Sequence, residues 1–62
     1  MKELDCVKLV KVFGVIPAGT EGTIVHVYPG GKDLEVEFFD ADGNTIVVLT
    51  TPKDVLEILP DT

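Results

Sequence analysis

The sequence predicts a small all-β domain of five strands closed into a barrel, and three observations lead there. Glycine and proline divide the chain into short pieces rich in β-branched residues. One piece, Leu34-Glu35-Val36-Glu37-Phe38-Phe39, alternates apolar and acidic side chains with the period of a strand. An Asp-Gly turn signal within Asp40-Ala41-Asp42-Gly43-Asn44 joins that piece to another apolar run, as a hairpin requires.

The first strand is expected over Asp5 to Val12, with Val7, Leu9 and Lys11 on one face. A loop from Phe13 to Glu21 follows, and Pro17 with its flanking glycines argues against a helix there. Its length predicts that it curls over the barrel with Val15 and Ile16 tucked in. Gly22 to Tyr28 is the second strand, dominated by β-branched and aromatic residues. Pro29-Gly30-Gly31 is a turn. In the third strand, Leu34, Val36 and Phe38 face the core while Glu35 and Glu37 face water. The fourth, Thr45 to Thr50, is apolar on both faces, so it is either central or meets another surface with its outer side.

Thr51-Pro52-Lys53-Asp54 reads as a cap, a proline at the first helical position and a carboxylate in the first turn. Too few residues remain for a full helix, so a single 3₁₀ turn is expected. Val55 to Leu59 closes the sheet as a fifth strand, and Pro60 ends it. Closure hides the sheet edges that so apolar a chain could not safely expose.

The bulk numbers bound the rest. At 62 residues there is room for one domain, spanning 1–62. Such a domain buries only roughly 60% of the surface its unfolded chain exposes, so its core is thin. Cys6 is the only cysteine, which excludes an intrachain disulfide and fits a reducing cytosol. One His and one Cys are too few ligands for a closed zinc site. Self-association is the remaining support. Met1-Lys2-Glu3 leads into no long apolar run, so no signal peptide or membrane span is expected and cytoplasmic residence is the default.

Five lysines, no arginine and 11 acidic residues leave a net charge of -6. That field repels phosphate backbones and anionic membranes and favours a basic partner.

The segments Met1 to Leu9, Ala18 to Tyr28, Leu34 to Phe38 and Asp40 to Gly43 together resemble the bacterial domain-of-unknown-function family 4926. The resemblance covers nearly the whole chain and rests on Gly19, Gly22, Ile24-Val25 and Tyr28, followed by Glu35-Val36-Glu37-Phe38. A similar pattern occurs in the SH3-like barrel of nitrile hydratase β subunits, and more loosely in KOW-type barrels. The resemblance implies an SH3-like fold and no activity. It carries no catalytic residues onto this chain. The metal-binding cysteine motif of nitrile hydratase lies in its other subunit and has no counterpart here. KOW barrels carry basic loops, from which this chain departs in charge.

The residues offer no site chemistry beyond what a fold explains. The chain has no serine, and Cys6 with His26 is the sole nucleophile–base combination; Cys6 reads as a small hydrophobe and His26 as a residue on the solvent face of a sheet. Asp40, Asp42 and Asn44 open with calcium-loop spacing, but Thr45 and Thr51 stand where the pattern needs Gly and Glu. Glu35 and Glu37 share a strand face about 7 Å apart and read as solvated. The glycines lead into no helix and form no phosphate cradle. Tyr28, Phe13, Phe38 and Phe39 are too few, and too lightly flanked by cations, for a base-stacking platform.

No catalytic residue, cofactor, metal or small-molecule substrate is therefore expected. The expected function is a non-enzymatic acidic interaction module that self-associates or binds a basic partner protein, with an antitoxin-like or accessory-subunit role as one concrete version. The expected contact surface is the outward side of the fourth strand, Ile46 or Val48, with Tyr28 and Phe39 nearby. The alternative is a KOW-like nucleic-acid module, which would need Lys8, Lys11, Lys32 and Lys53 on one face.

Overall fold

A computed structural model describes residues 1–60. Its strands are β1 (Cys6–Leu9), β2 (Glu21–Val27), β3 (Asp33–Phe39), β4 (Thr45–Pro52) and β5 (Leu56–Ile58), with a 3₁₀ turn at Lys53–Val55 before the last. Neighbouring strands are antiparallel throughout and form one sheet in the order β4-β3-β2-β1-β5. The all-β class, the five strands and the 3₁₀ turn are as the sequence predicts. Closure is not: no ladder joins β4 to β5, so both are edges and the sheet stays open.

The core lies on one side of this sheet. Val7 and Leu9 of β1, Ile24 of β2, and Leu34, Val36 and Phe38 of β3 are all buried, joined by Ile16, Val55 and Leu56. β3 follows its alternation: its apolar residues are buried, and Glu35 and Glu37 stand half-buried on the other face. The β3–β4 hairpin forms at Asp40–Asn44, with Gly43 at φ +85° in the left-handed region that glycine enters without strain.

Several boundaries differ from the sequence reading, each for a local reason. β1 stops at Leu9, because the Val10 N–H turns to donate to the Val55 carbonyl (2.9 Å); Lys11 therefore leaves the strand. Phe13 and Ile16 close a tight loop through reciprocal backbone bonds of 2.9 and 3.0 Å. That loop turns Ile16 into the core and leaves Val15 94% exposed, so only one of the expected pair is tucked in. β4 runs on through Thr51 and Pro52. Thr51 is not a cap: it is fully buried, and its hydroxyl donates to the Leu49 carbonyl (3.1 Å). Pro52 flanks the 3₁₀ turn with extended backbone and supplies no side-chain cap. Val55 belongs to the 3₁₀ turn, which shortens β5 to Leu56–Ile58.

Near the N-terminus, Leu4 N–H donates to the Ile24 carbonyl and Ile24 N–H to the Asp5 carbonyl, continuing the pairing beside β2. Lys2 donates to the Asp5 carboxylate from both Nζ (2.9 Å) and its backbone N–H (3.0 Å). The side-chain bond first, then the backbone bond, hold the Asp5 pKa below its ordinary 3.8. A depressed carboxylate stabilises the fold above its unfolded pKa, and that contribution is lost as pH falls through the folded value. Asp5→Asn should therefore lose less stability on acidification below about pH 4 than the parent, in urea unfolding followed against pH.

Gly22 sits in the central strand opposite both Val7 and Phe38. A Cβ there would lie 2.7 Å from the Glu37 carbonyl oxygen and 2.8 Å from Val36 Cγ1. Backbone cannot yield as a side-chain tip can, so Gly22→Ala should overpack the core at a cost of about 1–3 kcal/mol. In a domain this size the melting temperature should fall by about 4–8 °C for each kcal/mol. Gly30→Ala is a poor control because it introduces a positive-φ penalty (φ +93°); Ala18→Ser, at an exposed loop position, should leave the melt unchanged.

Candidate functional site

The face of the sheet turned away from the core is where the acidic and apolar residues meet. Cross-strand partners share a face, so the register places its side chains directly. Thr23 pairs with Glu37, and Glu37 with Val48. Glu21 pairs with Phe39, and Phe39 with Thr45. His26 pairs with Glu35, and Glu35 with Thr50. The outcome is a face of glutamates and threonines bounded by an apolar strip along β4.

That strip owes its shape to a bulge. Phe38 pairs with Val47 and Phe39 with Thr45, which leaves Ile46 as an extra residue in β4. A bulge bends the strand and re-aims the side chains beside it. Ile46 is 47% exposed and Val48 46%, high values for branched aliphatics within a strand. A second bulge, at Val25 between Ile24 and His26, exposes another valine on β2.

Of the four residues expected to form a contact surface, Phe39 and Ile46 line one groove. The Pro17–Thr20 loop, Glu21, and Asp40, Ala41 and Gly43 of the hairpin turn line the rest of it; its volume is about 900 Å³. Val48 lies further along β4, opposite Glu37. Tyr28 lies beyond the end of β2, and its N–H donates to the Asp33 carbonyl. The length of β3 separates it from Phe39, about 20 Å. Its hydroxyl donates to Glu35 Oε1 (3.3 Å) and lies 3.5 Å from Thr50 Oγ1, and its ring meets His26 edge-on at 4.9 Å. The wall formed by the Pro17–Thr20 loop was not legible in the sequence, since it meets Phe39 only through the fold.

Glu35 and Glu37 on this face accept from neutral donors. Thr45 Oγ1 donates to Glu37 Oε2 at 2.6 Å. Asp40 Oδ1 accepts from the backbone N–H groups of Asp42 and Asn44, each at 2.9 Å, so it serves the hairpin turn. Among the described residues, no group of three His, Cys, Asp or Glu side chains is arranged to hold a metal ion. Cys6 is exposed, and no hydrogen bond joins it to His26, whose Nδ1 lies 3.9 Å from Glu3 Oε2.

Of the four lysines named for a nucleic-acid surface, Lys8, Lys32 and Lys53 lie near acids. Lys8 Nζ is 3.6 Å from Glu57 Oε2 across the β1–β5 pair. Lys32 and Lys53 are joined by a backbone bond of 2.9 Å and share a shallow depression with Asp33 and Asp54. No helix among the described residues is long and apolar enough to cross a membrane.

The family described as Domain of unknown function (DUF4926) matches residues 3–58. The chain belongs to this family. The match takes in all five strands, both bulges and the groove. No curated protein and no solved structure matches the chain.

The Asp40 carboxylate holds the hairpin turn that lines the groove. Asp40→Ala should cost about 1 kcal/mol through the loss of two hydrogen bonds from exposed backbone N–H groups. Asp40→Asn, which keeps an acceptor oxygen, should recover most of that loss in urea unfolding.

Proposed function

We propose that this chain is a non-enzymatic protein-interaction module on an SH3-like scaffold, holding either a second copy or a basic partner protein. The observation that carries the reading is the pair Ile46 and Val48. Both stand nearly half exposed on an edge strand, beside a sheet face bearing Glu21, Glu35 and Glu37. An apolar strip bordered by charge is the composition of a contact surface, with an apolar centre and a polar rim.

The SH3-like assignment draws support from the strand order and from the 3₁₀ turn before the last strand. The net charge of -6 supports a basic partner by steering it toward the acidic face. An antitoxin-like or accessory-subunit role in the cytoplasm fits the small size and the acidity. Phosphate contact is disfavoured by the same glutamates, and Lys8, Lys32 and Lys53 sit next to acids.

Exposed positions tolerate substitution, so charge can be placed on the strip without opening the core. Ile46→Asp and Val48→Asp should each leave the melting temperature near that of the parent and lower the solution mass of an oligomer, or release a co-purified partner. Light scattering and pull-down with proteins encoded beside this one test the reading. A strictly monomeric mass together with no retained protein would overturn it, as would unfolding of both variants, which would mark these side chains as core.

A further inference from the structure

The open margin of β4 combines two properties that define what it can accept. Its backbone is paired on one side only: β3 matches it from Thr45 to Pro52, and among the described residues no backbone bond leaves the other side. Such an edge offers alternate N–H and C=O groups to an incoming strand. Edges are normally guarded by lysine, proline, bulges or shortness. Here the bulge and Pro52 guard only the two extremities. From Val47 to Thr51 the strand carries no charge and no interruption.

The side chains add a second requirement. Val47 and Leu49 point to the core side yet remain only partly buried, because no strand flanks them. An added strand would cover them with its own inward residues, which must be apolar. Its outward residues would lie beside Val48 and Thr50, two strand spacings, about 10 Å, from Glu37 and Glu35. A lysine or arginine side chain spans most of that gap. Tyr28 occupies Glu35 Oε1 and Thr45 occupies Glu37 Oε2, which leaves Glu35 Oε2 and Glu37 Oε1 to accept from such a cation.

We propose that β4 is a strand-addition site for an extended peptide segment in which apolar residues alternate with lysine or arginine. A second copy of the chain fits less well. Its β4 would bring Val48 and Thr50 to the outward positions, with no cation for the glutamates, and a further net charge of -6. The inference rests on the reading of the protein as a binder of basic partners, and it adds the mode and the edge.

The test uses two synthetic eight-residue peptides, one alternating valine with lysine and one alternating valine with glutamate. Amide exchange and chemical shifts of the whole chain are followed by NMR. At those amides of residues 47–51 that face the open margin, the lysine peptide should slow exchange by about tenfold or more at saturation, as new ladder bonds protect them. The glutamate peptide should not. Glu35→Gln with Glu37→Gln keeps both acceptors for Tyr28 and Thr45, and should weaken the lysine peptide about fivefold with an unchanged melt.

Three results would overturn the proposal. Binding confined to the Phe39–Ile46 groove would reject strand addition and leave the interaction module standing. Protection of those outward-facing amides in the peptide-free protein, with a dimeric mass, would assign the edge to a second copy. Equal binding of both peptides, or of neither at low salt, would remove the basic segment as the occupant, while the partner search with the Asp variants still decides whether the chain is an interaction module.

Discussion

The close passage of β2 against β3 at Gly22 is the constraint on which the rest of the structure depends. β2 is the middle strand, paired with β1 on one side and β3 on the other. The space a side chain would fill at residue 22 is taken by Val36, Phe38 and the Glu37 carbonyl. That close approach accompanies full burial of the largest side chain of the core, Phe38. With so few residues, the domain has no second core to compensate for a loss here. The same pairing sets the opposite face, since the register that buries Val36 and Phe38 fixes Glu35, Glu37 and Phe39 outward.

Two bulges modify the outward face that this register sets. With strict alternation continuing from the Phe38–Val47 pair, Ile46 would stand directly opposite Phe39; the bulge sets Thr45 there instead and leaves Ile46 unpaired. Ile46 lines the groove with Phe39, while Val47 and Leu49 remain on the core side. The Asp40 carboxylate stabilises the turn that supplies the bulge, so the groove and the hairpin are one piece of chemistry. Polar partners for the glutamates come from Tyr28 and Thr45, which hold the carboxylates without neutralising them.

Much of this was legible in the residues. The alternation in Leu34–Phe38 and the Asp-Gly turn locate β3 and its hairpin because each is a local signal, decided by neighbours in the chain. β1 was read too long, through Val12 with Lys11 continuing the Val7–Leu9 face, whereas the Val10 N–H bonds to Val55, far along the chain. Thr51 was read as a cap because threonine before proline is one; the period-two series Val47, Leu49, Thr51 held the correct answer, with threonine filling a valine-sized core position. Openness at β4 and β5 depends on how far the sheet curls, which no short pattern encodes. For the site, Ile46 and Val48 were visible as surplus apolar residues, and Phe39 joins Ile46. Tyr28 lies away from Phe39, and its hydroxyl reaches Thr50, two residues along β4 from Val48.

The short ladder between β1 and β5 brings the two ends of the domain together. Val7 lies opposite Ile58, and the Leu59 N–H donates to the Cys6 carbonyl at 2.8 Å. Both ends of the described chain thus leave from adjoining strands, at the opposite end of the strand order from β4. A unit with that geometry can be spliced into a surface loop of a host protein with its β4 margin still outermost.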